Sequence, residues 1–416
     1  MTWPKPPATF PLFGLSNPYN KQLSPSQLSN GFGSPCILKI VSNKMSAVSK
    51  VTKFGKQRKR YLPDAGSNIL GTVIHNTIDK KFKNPSKDAL QIWNAEIANQ
   101  NNRLQKEPLN QHFYPLEHSK NYLTTMYSTL SFANSHISTS KKKTKSKTKK
   151  KPLFGSEITV FDGPSEQGSQ IKGKIDFVER KKGTILITDW KSGRITGDDG
   201  KTNPGYEKQI MLYAALHFVY QSNIYPATSP IWPKFGRLKN PTTQEEFRFD
   251  LIEKDSLKLL KESQELHLKI AKILDIDNSI KSLQKHAQPS LENCRFCPVR
   301  PACAPYRNWL TKQMKTCSEE TEPDNFIFDI IGTFREISYS SSSKEKGCII
   351  FEDSIKRVWR VSDIDFKASR NLRTLKSLKK GAKIMIFNIS LNHKCKLSDI
   401  DVSCRANLQT QMIYSD

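Results

Sequence analysis

The sequence predicts a mixed α/β core followed by a small β-rich domain. In the middle of the chain, short strand-like runs, one strong amphipathic helix and further strand text succeed one another. After about Glu322 the text turns strand-rich again. At 416 residues the chain has room for two or three domains and a sizeable core.

Taken in order, residues 1–22 read as a disordered N-terminal segment. From Leu23 the text changes, and Ser24-Pro25-Ser26-Gln27-Leu28 is a helix start that leads to Gly31-Phe32-Gly33-Ser34-Pro35-Cys36. A basic stretch, Lys50 to Arg60, precedes a helix from about Ser67, on which Leu70, Val73, Ile74 and Ile78 share a face with His75 alongside. Residues 85–135 read as more helix, with spacing too weak to fix its ends. The lysine-rich run near 140–151 cannot pack and is expected to be a solvated insert.

Strands are expected at Glu157–Phe161, Ile171–Glu179 and Thr184–Trp190, and a helix at Tyr206–Tyr220. Strand text over Ile231–Leu251 and one long amphipathic helix from Glu253 to Lys285 complete a domain spanning 23–310. A linker is expected at 311–324 and a β-rich domain at 325–416. That last domain carries strands at Phe326–Ile331, Cys348–Phe351, Val358–Val361 and Ile384–Phe387, and a helix-like piece near Arg370–Lys380. A small barrel of the OB type, which binds oligonucleotides, fits this text, and a β-rich structural appendage fits nearly as well.

Lysine and arginine outnumber aspartate and glutamate by 66 to 39, a formal charge of +27. Such an excess suits a polyanionic partner, nucleic acid before an anionic membrane surface; codon bias in an AT-rich genome is the bland account. No apolar run reaches the roughly 18 residues that span a bilayer, and no secretory signal opens the chain, so a cytoplasmic protein is expected. Its eight cysteines should then be reduced, and clustered ones read as metal ligands.

Gly173-Lys174-Ile175-Asp176 and Ile187-Thr188-Asp189-Trp190-Lys191 end two strands with an aspartate apiece. Residues two apart on a strand share a face, so Asp189 and Lys191 project together, and a hairpin brings Asp176 to them. Two carboxylates at one point repel unless a cation sits between them, and Mg²⁺ prefers such oxygens. A lysine there can orient or deprotonate water and offset charge on a phosphate. Taken alone, this pattern more often marks a surface hairpin with solvated charges. Gln209 and Tyr213, four apart on the next helix, share a face that can return to the strand ends. His75 adds an imidazole upstream.

The series GxxxH, E, G-x-I-D, D-x-K-S-G and Q-x-x-x-Y resembles the motif order of the RecB-like PD-(D/E)XK nucleases, a restriction-endonuclease-like fold. That group includes the nuclease domains of recombination helicase–nucleases and the CRISPR-associated adaptation nucleases. The resemblance covers residues 23–310. It implies that His75, Asp176, Asp189 and the carbonyl of Trp190 hold Mg²⁺ or Mn²⁺. Lys191 would be the catalytic lysine, Glu157 the acid of the first core strand, and Gln209 and Tyr213 the helical pair that positions lysine and substrate.

Cys294, Cys297 and Cys303 give C-x₂-C-x₅-C, a strong sign of metal that lacks a fourth ligand. The resemblance supplies Cys36, since iron–sulphur RecB-like nucleases carry a lone first cysteine near the N-terminal end and a [4Fe–4S] cluster on all four. Structural Zn²⁺ on the same thiolates is the rival. A helicase loop would read G-x₄-G-K-[ST]. Gly200-Lys201-Thr202 imitates its end, but Ile195 stands where the first glycine belongs. The expected activity is therefore a stand-alone metal-dependent DNase acting on single-stranded DNA or DNA ends, or one working with a separate helicase, in repair, recombination or defence. A silent DNA-binding clamp and a CRISPR-adaptation role are the alternatives. Exo- and endonucleolytic cutting both stay open.

Overall fold

The computed structural model describes residues 22–28, 36–41, 66–107, 110–119, 121–138, 153–166, 168–197, 199–276, 280–294, 297, 299–316, 327–340, 343–366, 375–376, 378–391, 401–406 and 410–415. The expected disordered residues 1–21, the basic stretch Lys50 to Arg60 and the lysine-rich insert lie outside them.

Helical turn α1 (Pro25–Leu28) starts where the sequence places it, with the Ser24 N–H donating to Gln27 Oε1 at 2.9 Å. A second helical turn covers 37–41. Three longer helices follow, α2 (Gly66–Lys83), α3 (Ala89–Lys106) and α4 (Tyr122–Ser138). Asp88 caps α3 through Leu90 N–H, and Trp93 Nε1 donates to Tyr122 Oη at 3.0 Å, fastening α3 to α4.

A five-stranded sheet comes next: β1 (Gly155–Phe161), β2 (Lys172–Lys181), β3 (Thr184–Trp190), β4 (Pro233–Lys239) and β5 (Glu246–Asp250), in that spatial order. All neighbours are antiparallel except β3 and β4, which run parallel. A parallel pair needs a long crossover, and α5 (Pro204–Ile224) provides it, with Asn203 capping its start. One apolar layer lies between the sheet and α5, built from Ile158, Val160, Ile175, Ile185 and Ile187 against Ile210, Ala214 and their neighbours. The other lies under α2–α4, where Phe177 and Trp190 meet Val73, Ile74, Trp93 and Phe132. Leu23 bridges Ile171 in parallel, so the segment before α1 is stitched onto the start of β2.

The long helix expected from Glu253 to Lys285 is described as α6 (Glu253–Ile276) and α7 (Ile280–Lys285), residues 277–279 lying outside the described residues. After the short α8 (Leu291–Cys294) and a 3₁₀ turn at Arg300–Ala302, α9 spans Ala304–Thr316. The expected linker at 311–324 therefore begins as helix, held by a Tyr306–Trp309 stack and by buried Leu310.

The C-terminal strands are β6 (Ile327–Ser340), β7 (Ser343–Glu352), β8 (Val358–Asp365), β9 (Lys383–Leu391), β10 (Asp401–Arg405) and β11 (Gln411–Ser415). β6 pairs with β7 and β9, β8 with β7 and, in parallel, with β10, and β10 returns to β9. The ring is closed: a five-stranded barrel, OB-like as the sequence predicts, with β11 added outside β9. Of the expected helix at 370–380, residues 375–376 are helical and 378–380 are not, the others lying outside the described residues.

A buried ionic network fastens the barrel to the cysteine segment. Arg300 donates through Nε and Nη2 to Asp329 of β6 at 2.5 and 3.1 Å, and through Nη1 to the carbonyl of Cys294 at 3.3 Å. Tyr306 Oη and the Asn388 N–H also donate to Asp329, at 2.7 and 2.9 Å. A bidentate arginine with its carboxylate fully supplied fixes one orientation between the two parts.

Candidate active site

The site is built where β2 and β3 end side by side. Asp176 sits where the β1–β2 register skips from Ser156↔Phe177 to Ile158↔Ile175. Its Oδ2 accepts the Trp190 N–H at 2.7 Å, which ties it to the last residue of β3. The Trp190 ring is fully buried and stacked on Phe177, so the main chain between Asp189 and Lys191 is anchored.

α2 delivers His75, whose Nδ1 lies 3.5 Å from Asp176 Oδ1. The close approach depends on Gly71, one turn earlier. A Cβ there would stand 2.5 Å from Ser192 Oγ and 3.1 Å from Ser192 Cβ, so glycine lets α2 sit against the Asp-x-Lys-Ser segment without displacing Ser192.

α5 completes the group. Lys191 Nζ is 2.6 Å from Asp189 Oδ2 and donates to Gln209 Oε1 at 3.0 Å. Gln209 Nε2 donates to Asp189 Oδ1 and to Tyr213 Oη, each at 3.2 Å. The Tyr213 ring lies against Gly173 of β2, where a Cβ would meet its Cε1 at 2.7 Å. Lys191 Nζ also sits 4.3 Å above the Tyr206 ring, a contact the sequence reading missed. The available signal was spacing, since Tyr206 lies three residues before Gln209 on the same face of α5.

The structure thus brings His75, Asp176, Asp189, Lys191, Gln209 and Tyr213 together. Glu157 falls opposite Asp176 at the skipped step of the β1–β2 register; its backbone is in the left-handed region at φ 56°, and its carboxylate pairs with Lys174.

Charge is unevenly divided among these groups. Burial opposes ionisation of Asp176, but His75 and the Trp190 N–H overcome it and hold the carboxyl below its ordinary value. For Asp189, burial outweighs the Lys191 ammonium and raises the value. His75 and Lys191 are both raised, since the neighbouring carboxylates overcome the cost of burial. Burial and the Asp189 charge push the Tyr213 hydroxyl well above its usual range, so it stays protonated while it accepts from Gln209.

The donor set fits a hard divalent cation: two carboxylates near enough to perturb one another, one imidazole, and a buried Asp189 Oδ2 whose partner is the Lys191 ammonium. Among the described residues no three His, Cys, Asp or Glu side chains already close into a metal cage.

Cys36, Cys294, Cys297 and Cys303 are all buried, and none is in a disulfide. The charges of Cys36, Cys297 and Cys303 each act on Cys294, but among the described residues no three of them form a group that could hold a metal. Burial is the largest influence, pushing Cys294 and Cys303 up to about 12 and Cys297 to about 11. Without a metal Cys294, Cys297 and Cys303 are protonated thiols, and burial alone does not turn them into ligands. Cys348 and Cys404 are in no disulfide and sit on barrel strands β7 and β10.

Among the described residues no helix is long and apolar enough to cross a membrane. No curated protein matches the chain. The sequence pattern of the PD-(D/E)XK nuclease superfamily matches residues 51–304, from before α2 through the cysteine segment. That match takes in more than half of the chain, including both aspartates, the lysine and the whole five-stranded sheet, and the chain belongs to the PD-(D/E)XK nuclease superfamily.

Proposed function

We propose that the chain is a Mg²⁺- or Mn²⁺-dependent deoxyribonuclease of the RecB-like kind, hydrolysing phosphodiester bonds in single-stranded DNA or at DNA ends. One observation carries this reading: Asp176, Asp189 and Lys191 converge at the strand ends with Gln209 bridging lysine and aspartate. His75, Asp176 and Asp189, with the Trp190 carbonyl, would hold the cation, which when bound supplies Lewis-acid polarisation of the phosphate and a lowered pKa for water. Lys191, locked by Asp189, Gln209 and the Tyr206 ring, offsets charge on the phosphate during in-line attack. Tyr213 fixes Gln209, and Glu157 with Lys174 lies beside β2 at the rim. The net charge of +27 supports a polyanionic substrate.

Cys36, Cys294, Cys297 and Cys303 would hold a [4Fe–4S] cluster, with structural Zn²⁺ the rival, tying the two ends of the nuclease together. The C-terminal barrel would hold or present the strand, and a separate helicase would serve as motor where one is needed.

The test is cleavage of end-labelled single-stranded and duplex DNA with Mg²⁺ or Mn²⁺, using anaerobically purified wild type and Lys191→Ala. Cutting by wild type and binding without cutting by the variant is the expected result. Equal binding with no cutting by either protein would make the chain a clamp.

A further inference from the structure

We propose that the bare face of the sheet over β3–β5 is a second, non-catalytic subsite that takes an unpaired nucleotide of a single-stranded substrate. The inference rests on the nuclease reading above and adds a place where the strand is held away from the scissile bond.

The register makes the groove. Glu179, Leu186 and Phe235 lie in one row across β2, β3 and β4, and Thr188, Arg237 and Arg248 lie in the next across β3, β4 and β5. Side chains two apart on a strand share a face, so both rows point the same way. Helices α2–α4 cover Phe177 and Trp190 on this side, yet Leu186 and Phe235 remain half-exposed. The result is an open cavity of about 520 Å³ with those two side chains as its floor, within the size range of small-ligand sites.

Its walls are cationic. Lys181, Lys182, Arg237 and Arg248 face a single carboxylate of the lining, Glu179. That carboxylate is already satisfied, 2.8 Å from Lys181 and 3.1 Å from Arg237. Arg237 is held in place by a further bond from Nε to Thr188 Oγ1 at 3.0 Å. Asp250, beyond Phe235 on the edge strand, borders the groove. The exposed Arg248 guanidinium lies over the Phe235 ring, 3.8 Å from its centre, and Glu246 on the same strand lies 4.0 Å from Arg237.

An apolar floor and a planar guanidinium suit a base, and the surrounding ammonium and guanidinium groups suit its phosphates. The base must be free of a partner to stack there, so the occupant is a single strand. Leu186 is three residues before Asp189 on β3, roughly 10 Å at about 3.3 Å per residue. The two side chains point to opposite faces of the sheet, so a strand that occupies both places passes around the end of β3 rather than along one face.

The experiment measures fluorescence anisotropy of labelled dT20 and of a blunt 20-base-pair duplex in the Lys191→Ala background. Arg248→Ala, at an exposed position, is the first variant, with Phe235→Ala and Arg248→Lys beside it. Expected are a roughly tenfold weaker dT20 affinity for Arg248→Ala, with duplex binding within about twofold, in line with the loss of one stacked base. The salt slope should shrink by about 0.7 for Arg248→Ala and stay put for Arg248→Lys. Unchanged dT20 affinity, or equal losses on dT20 and duplex, would overturn the proposal. If the protein cuts DNA and Arg248→Ala binds like its parent, the groove alone falls. If dT20 binding responds to Arg248→Ala and nothing is cut, the groove stands and the hydrolytic reading falls.

Discussion

Replacing Tyr206 by leucine should slow cleavage without weakening substrate binding. The Tyr206 ring is the third support of the Lys191 ammonium, 4.3 Å below it, beside Asp189 at 2.6 Å and Gln209 at 3.0 Å. A cation–π contact contributes about 0.5–1 kcal/mol when exposed and about 2 kcal/mol when desolvated. The Lys191 side chain is only 15% exposed, which places the contact at about 1–2 kcal/mol. If that stabilisation is spent on holding the ammonium where charge develops, its loss lowers the rate by roughly 5- to 30-fold at about 1.36 kcal/mol per decade. Single-turnover cleavage of end-labelled DNA measures it. KM should stay within about twofold and thermal stability should barely move, because Asp189 and Gln209 still hold the lysine. Tyr206→Phe keeps the ring and should restore the rate. A Tyr206→Leu enzyme at full rate, or a Tyr206→Phe enzyme as slow as the leucine variant, would refute the reasoning.

Three other outcomes are expected. Gly71→Ala should cost at least about tenfold in activity, because the added methyl meets Ser192 Oγ at 2.5 Å, and Ser192→Gly in the same chain should restore it; no rescue would deny that the two residues share that space. Arg300→Met leaves Asp329 buried with its guanidinium gone, so urea unfolding should show a loss of about 3–5 kcal/mol, and Arg300→Lys should recover only part, having no bidentate fork. Wild-type stability for Arg300→Met would remove the network from the interface. For Asp353 in the barrel, burial favours the neutral acid, but donors on Trp359, Arg357 and Ile355 overcome it and depress the pKa. A depressed carboxyl stabilises the fold above its unfolded value of about 3.9, and that contribution fades as pH falls through the lower folded value. Asp353→Asn should therefore cost about 1.5–3 kcal/mol near neutrality, and the gap to wild type should narrow below about pH 4; a gap constant with pH would count against it.

What could be read from the sequence was whatever is written locally. β3 runs from Thr184 to Trp190 as expected, because a β-branched run between a Lys-Gly turn and a Ser-Gly turn leaves little choice. The Asp189–Lys191 pair and the Gln209–Tyr213 pair follow from periods of two and four. Tyr206 was hidden because an aromatic at that spacing looks like any other half-buried helix residue. The backbone of Glu157 turns to positive φ, which nothing in Ser156-Glu157-Ile158 announces. β10 escaped notice because only Val402 and Cys404 of Asp401–Arg405 give it an inward face. Arg300 and Asp329 are 29 residues apart, and a buried ion pair across an interface leaves no periodic trace.

The stitch between Leu23 and Ile171 sets an order of events in time. Leu23 N donates to Gln170 O and Lys172 N to Leu23 O, while Cys36 waits for Cys294, Cys297 and Cys303. Synthesis at about 5–20 residues per second puts roughly 13–53 s between Cys36 and Cys303. Until β2 and α5 are made, Leu23 and Leu28, both buried in the finished protein, lack the partners they pack on. Contacts of such long range are slow to form and leave sticky intermediates, so this short segment joins the nuclease late although it precedes the rest of the domain. A change at Leu23 should therefore show itself as chaperone dependence and poor yield before it shows in the activity of the molecules that do fold.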